Sequence, residues 1–144
     1  MFYVALLLIE DAQLTWYGNE FVGRHHAAYW HQQVPAGFSD TMQPDEFGVA
    51  APLHVPFGTR LRLTRLDTGA TVEAVVVDRM RNFRNPNTYD AYPAVAQALG
   101  FGPWAEEQDC GVVRVKVEII REWRDYAVSM ESQPQGNMGA IYFN

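Results

Sequence analysis

The strongest constraint on the fold of this chain is a two-residue alternation between Val113 and Ile119. Aliphatic residues occupy every second position of this segment, and charged residues occupy the positions between them. Because successive side chains of a β-strand point to opposite faces, the pattern predicts a strand with one buried and one solvated face over residues 111–120. A single strand is not stable alone, so the chain must supply further strands.

Two more strands are predicted on either side of a tight turn at residues 67–69. Leu61 and Leu63 alternate with polar residues, whereas the run 72–77 is largely apolar on both faces, as in a central strand. Gly69 can supply the positive φ that closes such a hairpin. We therefore predict strands at 59–66 and 71–78.

The remaining segments predict a first strand, one short helix and a long loop. The apolar run 1–9 has no basic residue before it and is followed by two carboxylates, so it predicts a strand rather than a signal peptide. Pro93 and Gly100 suit the first turn and the left-handed end of a helix over 93–99. Residues 24–46 show no sustained period and predict a long loop, a type of segment that often carries function.

Composition restricts the classes of partner. The 144 residues fit one domain, and 11 basic against 17 acidic residues give a net charge of −6. We therefore expect no nucleic-acid partner, no anionic membrane partner and no membrane span. The single cysteine, Cys110, excludes an intrachain disulfide.

Five motifs, in order along the chain, resemble the RlpA-like double-psi β-barrel family, which is related in part to expansins. The matching segments are 15–18 with Phe21, Gly23 and Arg24; 50–51 with 55–59; 63–66 with Gly69 and 77–79; Asp90 with Ala94, Ala96, Leu99 and Gly100; and 111–118. The resemblance implies a mainly β fold, a six-stranded double-psi β-barrel with one or two short helices. It places the barrel at 13–120, with an N-terminal extension at 1–12 and a C-terminal extension at 121–144.

The resemblance also implies a chemistry. Members that act on cell walls include lytic transglycosylases, in which one carboxyl group serves as both acid and base. Asp78 matches that position, and its place at the end of an apolar strand would raise its pKa by desolvation. The alternative is a structural ion pair of Asp78 with Arg79, Arg81 or Arg84. No cofactor is expected.

The histidine of the family falls on Pro52 in this chain. His54 lies two residues later, on the same side if the chain is extended, and is the second catalytic candidate. An ordinary histidine at the edge of a loop is the alternative.

Other polar and aromatic residues complete the candidate site. Arg79 and Arg81 could bind a substrate carboxylate, and Tyr17 and Trp30 could contact sugar rings. The loop aromatics could equally form a small core. We predict no metal site, because the histidines and carboxylates of the loop fit no standard zinc spacing. Asp90 is predicted to begin the helix rather than to act as a second catalyst. The loop residues considered as metal ligands are His25, His26, His31, Asp40 and Asp45. The loop aromatics that could form a sugar-binding surface or a small core are Tyr29, Trp30, Phe38 and Phe47.

Two functions follow from the resemblance. The first is an enzyme that cleaves peptidoglycan glycan strands, and the second is a non-catalytic wall-binding or structural module of a larger assembly such as a phage tail. The apolar ends, 1–9 and 123–144, are expected to pack on another subunit, in a homo-oligomer or a larger assembly. The expected location is the cell envelope, the cell exterior or a virion, without a typical signal peptide.

Overall fold

The computed structural model describes residues 4–80, 87–104 and 111–122. These residues form six strands, two α-helices and two single 3₁₀ turns, at Asn19–Phe21 and Gly102–Trp104. The strands and helices are β1 (Val4–Trp16), α1 (Ala27–Trp30), β2 (Gly48–Ala51), β3 (Arg60–Arg65), β4 (Thr71–Arg79), β5 (Thr88–Ala91), α2 (Pro93–Leu99) and β6 (Val113–Glu122).

The six strands close into a barrel in the order β1-β5-β2-β4-β3-β6. The pairs β1–β5 and β2–β4 are parallel, and the other four pairs are antiparallel. If β1 is exchanged with β4, β2 with β5 and β3 with β6, the neighbours of each strand around the barrel and the parallel or antiparallel pairings stay the same. This internal two-fold relation is the one that interlocks the halves of a double-psi β-barrel, so the predicted fold is confirmed.

Strand β1 is long and spans both sides of the predicted boundary at residue 12. It pairs antiparallel with β6 from Val4 opposite Glu122 to Leu14 opposite Val113, with a register shift between Leu6 and Ile9. The division into a barrel and two extensions stays a prediction. Residues 123–144, and with them the predicted packing of the C-terminal end on another subunit, lie outside the described residues.

None of the helices in the described ranges is long and apolar enough to cross a membrane.

The core follows the alternation read from the sequence. Leu61 and Leu63 of β3 and Val115 and Val117 of β6 are completely buried, whereas the residues between them face outward or are partly covered. The β3–β4 hairpin turns at Gly69, where φ is +78°. Burial of these aliphatic side chains supplies the main driving force for closing the barrel.

Helix α2 has the predicted bounds and covers the barrel core. Its N1 residue is Pro93, and Gly100 ends it in the left-handed region at φ +72°. The largely buried Arg65 donates from Nη1 to the carbonyls of Leu99 and Gly100 at 3.0 and 3.1 Å. A guanidinium at this place satisfies carbonyls that the helix leaves without partners.

The segment 24–46 is a long loop, as predicted, and contains the single helical turn α1. Its two ends are joined by backbone hydrogen bonds from Gly23 to Met42 and from Met42 to Arg24, both 2.9 Å. Beneath it lies a second, smaller core built on Met42, Val77 and Tyr92, with Phe38 packed against it. Of the loop aromatics, Phe38 therefore belongs to a core, while Trp30 and Phe47 are exposed.

Candidate functional site

A cleft of about 590 Å³ lies between the long loop and the ends of strands β1, β4 and β5. It brings together four of the six residues predicted for the site. The lining residues are Tyr17, Phe21, Arg24, His25, His26, Ala27, Trp30, Met42, Asp78, Arg79, Met80 and Asp90.

Two aspartates face this cleft because of the strand register. Asp90 of β5 and Asp78 of β4 both pair with Ala50 of β2, which lies between them. Neighbouring strands are about 4.8 Å apart, so the two aspartate Cα atoms are roughly 10 Å apart. The predicted role of Asp90 at the start of the helix is wrong. Asp90 is held in β5 by pairing on both sides, and the N-cap of α2 is Tyr92.

The carboxyl group of Asp78 accepts three hydrogen bonds. Oδ1 accepts from the backbone N–H groups of Ala27 and Arg79, both at 2.9 Å, and Oδ2 accepts from the hydroxyl of Tyr17 at 2.7 Å. Backbone N–H groups can only donate, so Oδ1 acts as an acceptor in this arrangement. Asp78 is thereby fixed in position, and the Ala27 bond ties the long loop to β4.

The carboxyl group of Asp90 is in a different environment. Burial raises the pKa of Asp90 from its ordinary value of 3.8 to about 6, and the charge of Asp78 adds to this effect. The hydroxyl of Thr15, which lies opposite on β1, donates to Oδ1 of Asp90 at 2.9 Å and partly offsets the increase in pKa. A carboxyl group with a pKa near 6 can hold a proton close to neutral pH and give it up in a reaction.

Tyr17 connects the two aspartates electrostatically. Burial raises the pKa of Tyr17, and the charges of Asp78 and Asp90 raise it further. Its phenol therefore stays neutral and donates to Asp78. The Tyr17 ring packs edge-on against Phe21 and Tyr92, with centroids 5.4 and 5.5 Å away.

Arg79 is held beside the cleft by the segment that follows β2. Its Nη1 donates to the carbonyls of Pro52 and Val55 at 3.2 and 2.5 Å, and its guanidinium carbon lies 4.0 Å from the centroid of the Phe57 ring. Burial lowers the pKa of Arg79, and the charge of Asp78 works against this decrease. Within the described ranges Asp78 makes no salt bridge to an arginine; Arg81 and Arg84 lie outside those ranges.

His54 lies away from the cleft. The N–H of Val55 donates to the carbonyl of Pro52 at 3.1 Å, so the chain turns after β2 instead of staying extended. The Nε2 atom of His54 is 3.4 Å from Oε2 of Glu10, and the other oxygen of that carboxylate, Oε1, accepts a hydrogen bond from the Tyr89 hydroxyl. The structure therefore does not bring His54 to Asp78, and its catalytic role stays a prediction without a supporting contact.

An aromatic surface forms one wall of the cleft. The rings of His25 and Tyr29 stack with centroids 3.9 Å apart and planes at 19°. Trp30 meets both rings edge-on, at 5.4 and 5.0 Å, and is 69% exposed. An exposed indole beside polar groups suits contact with the apolar face of a ring-shaped ligand.

No group of three potential metal ligands occurs among the residues that the structure describes. The histidines of the loop have other contacts. His25 stacks on Tyr29, His26 is buried with both ring nitrogens engaged, and the His31 ring lies 5.7 Å from that of Phe57.

The sequence did not identify two residues of the cleft. Asp90 stands in a family motif, but its distance from Asp78 depends on β2 lying between β4 and β5, which local patterns do not encode. His26 was considered only as a metal ligand, and nothing in its neighbourhood in the sequence indicates the buried position that it takes.

The comparisons with known proteins find similarity only among solved structures. No family model matches the chain, and no curated protein matches it. Among solved structures, the Streptomyces papain inhibitor is similar, with 17% identity and a TM-score of 0.53 over 81% of this chain and 97% of that chain. The computationally designed msDPBB_sym2 protein has 12% identity and a TM-score of 0.40 over 75% of this chain and 96% of that one. At 17% identity the papain inhibitor shares only the fold with this chain, so membership of the RlpA-like family stays a prediction.

Proposed function

We propose that this protein cleaves glycan strands in the cleft between the long loop and the barrel, with Asp90 and Asp78 as its two catalytic carboxyl groups. The observation that carries the proposal is the placement of two aspartates on either side of Ala50, one of them with a pKa of about 6. Such a pair, in different environments, can divide the tasks of an acid and a base.

Asp90 is the proton donor in this proposal. Its raised pKa keeps a useful fraction of the carboxyl group protonated near neutral pH. Asp78 was the acid/base suggested by the family resemblance, but its Oδ1 is occupied by two N–H donors. The role left for Asp78 is that of the base, and the proton that it receives goes to Oδ2, where it displaces the hydrogen bond from the Tyr17 hydroxyl.

The reaction is the intramolecular transfer expected of a lytic transglycosylase. Asp90 protonates the oxygen of the glycosidic bond as the bond to the anomeric carbon breaks. A hydroxyl of the same sugar then attacks that carbon and gives its proton to Asp78. One bond breaks and one forms, no water is consumed, and proton exchange with solvent restores both carboxyl groups.

Peptidoglycan is the substrate that the resemblance implies, and two features of the cleft support a glycan that carries carboxylates. The exposed ring of Trp30 offers a surface on which a sugar can stack. The guanidinium of Arg24 lies 5.2 Å from the centroid of the Phe21 ring at the same cleft, where it can bind an anionic group.

The test is release of soluble fragments from purified peptidoglycan by the wild type, Asp90→Asn and Asp78→Asn. Each substitution keeps size and polarity but removes proton exchange, so the rate is expected to fall by ~10²–10⁴-fold. Asp40→Asn makes the same change of charge at an exposed loop position outside the cleft and is the control. Wild-type release that survives both cleft substitutions would contradict the assignment.

A second candidate is the non-catalytic module, in which the barrel binds the cell wall or an assembly without cleaving anything. The turn that moves His54 away from Asp78 favours it, since the histidine of the family then has no counterpart at this position. In that case the wild type sediments with peptidoglycan but releases no fragments, and Trp30→Ala weakens the binding.

Protease inhibition is a further outcome that the same protein preparation can test. The similar Streptomyces protein is named as a papain inhibitor. Residual papain activity is therefore measured beside fragment release. Inhibition without fragment release would replace the glycan-cleaving proposal.

A further inference from the structure

A backbone group of the long loop is hydrogen-bonded to Asp78. The N–H of Ala27, the first residue of α1, donates to Oδ1 of Asp78 at 2.9 Å. The residue before it, His26, is the N-cap of the same turn and is 2% exposed. Contacts that fix His26 therefore also keep the N–H of Ala27 directed at Asp78.

Both ring nitrogens of His26 are occupied by backbone groups of the loop. Nδ1 accepts from the N–H of Tyr29 at 3.3 Å, and Nε2 lies 2.6 Å from the carbonyl oxygen of Ser39. A backbone N–H only donates and a carbonyl only accepts, so the two partners require a neutral ring with its proton on Nε2. Protonation at Nδ1 would remove the acceptor that caps α1 and would place two N–H groups against each other.

His26 joins the two sides of the loop. On one side it caps α1, and on the other it binds Ser39, whose own N–H donates to Glu46 at 2.7 Å. The titratable and charged groups around this part of the loop are Tyr17, Arg24, His25, Tyr29, Glu46, Asp78, Arg79 and Asp90.

We infer that His26 is a positioning residue for Asp78. In its neutral form with the proton on Nε2, it holds the N–H of Ala27 on the carboxylate, and protonation of His26 releases that bond and loosens the loop over the cleft. The inference rests on the proposed function only in its consequence for the reaction, because the positioning itself is a property of the loop.

Two substitutions test the hydrogen bonds of the two ring nitrogens separately. His26→Asn keeps an N-cap acceptor near Nδ1 but loses the bond to Ser39, and its side chain does not titrate. His26→Gln keeps a donor near Nε2 but loses the cap. His31→Gln changes an exposed histidine of the same loop, outside the cleft, and is the matched control.

The experiment follows the exchange of the Ala27 amide hydrogen and the imidazole nitrogens of His26 by NMR across pH 4 to 8. At the upper end we expect the tautomer with the proton on Nε2, and on acidification the Ala27 amide loses protection together with the protonation of His26. Loss of the cap in His26→Gln is expected to speed exchange roughly fivefold at the upper end of this pH range, and the difference from the wild type should shrink on acidification. In His26→Asn the protection of Ala27 no longer follows the wild-type pH course.

Three results would overturn the inference. The first is a proton on Nδ1 of His26 in the neutral wild type, and the second is Ala27 amide exchange that does not change when His26 is protonated. The third is the same pH dependence of Ala27 exchange in His26→Asn as in the wild type. The first two need no variant, so a variant that fails to fold does not block the test. Cleavage is measured separately: a wild type that never cleaves glycan refutes the proposed function, while amide exchange still decides the role of His26.

Discussion

Replacement of Asp90 by asparagine tests the raised pKa without any substrate. The pKa of Asp90 is about 6 in the folded protein against an ordinary value of 3.8. A tenfold change in proton affinity corresponds to about 1.36 kcal/mol, so this difference corresponds to about 3 kcal/mol. Because the folded state binds the proton more tightly, the stability that this group contributes is fully present below pH 3.8 and is lost as the pH rises through about 6.

Asparagine resembles the protonated carboxyl group at every pH and can still accept the hydrogen bond of Thr15. Asp90→Asn should therefore be more stable than the wild type by about 3 kcal/mol at pH 7.5, but by only about 0.5 kcal/mol at pH 4. A functional carboxyl group that costs stability in this way is typical of active sites.

Urea unfolding at both pH values measures this difference. At pH 7.5 the midpoint of Asp90→Asn is expected to lie roughly 1 to 3 M urea above that of the wild type. Asp40→Asn controls for the change of net charge. An equal difference at both pH values, or a variant less stable than the wild type at pH 7.5, would show that burial does not raise the pKa of Asp90.

Three further outcomes are expected. The rate of glycan cleavage falls about tenfold for each pH unit above about 6, because protonated Asp90 is depleted. A cleavage rate that does not change up to pH 8 would exclude Asp90 as the acid. Tyr17→Phe loses the donor to Asp78 and should lower the free energy of unfolding by about 1.5–3 kcal/mol in urea titrations; no change would mean that the bond contributes nothing. Gly48→Ala places a Cβ 2.8 Å from the ring of Tyr92 and should cost about 1–3 kcal/mol by overpacking, which thermal unfolding would reveal as a lower Tm.

The parts of the fold that local chemistry determines could be predicted from the sequence. Strands β3, β4 and β6 carry alternating or continuous aliphatic residues, and α2 is bounded by Pro93 and Gly100. Strands β2 and β5 have four residues each and are buried on both faces, so no alternation marks them. They exist because distant segments pair with them, and that information is not local.

The same distinction applies to the site. Asp78 was found through a motif that is continuous in sequence, whereas its partner Asp90 is brought near by the register of β2 with two strands. His54 was expected beside Asp78 on the assumption of an extended chain after Ala51. That assumption is wrong, because the chain turns between Pro52 and Val55 and places His54 away from the cleft.

The most direct test of the two-aspartate cleft is mass spectrometry of the new glycan ends that the wild type produces from peptidoglycan in ¹⁸O-labelled water. Attack by the sugar's own hydroxyl consumes no water, so we expect anhydro ends without ¹⁸O from the wild type and almost no new ends from Asp90→Asn or Asp78→Asn. Ends that carry ¹⁸O would show hydrolysis instead of intramolecular transfer. The absence of new ends from the wild type, or as many ends from both variants as from the wild type, would contradict the claim that these two aspartates cleave the glycan.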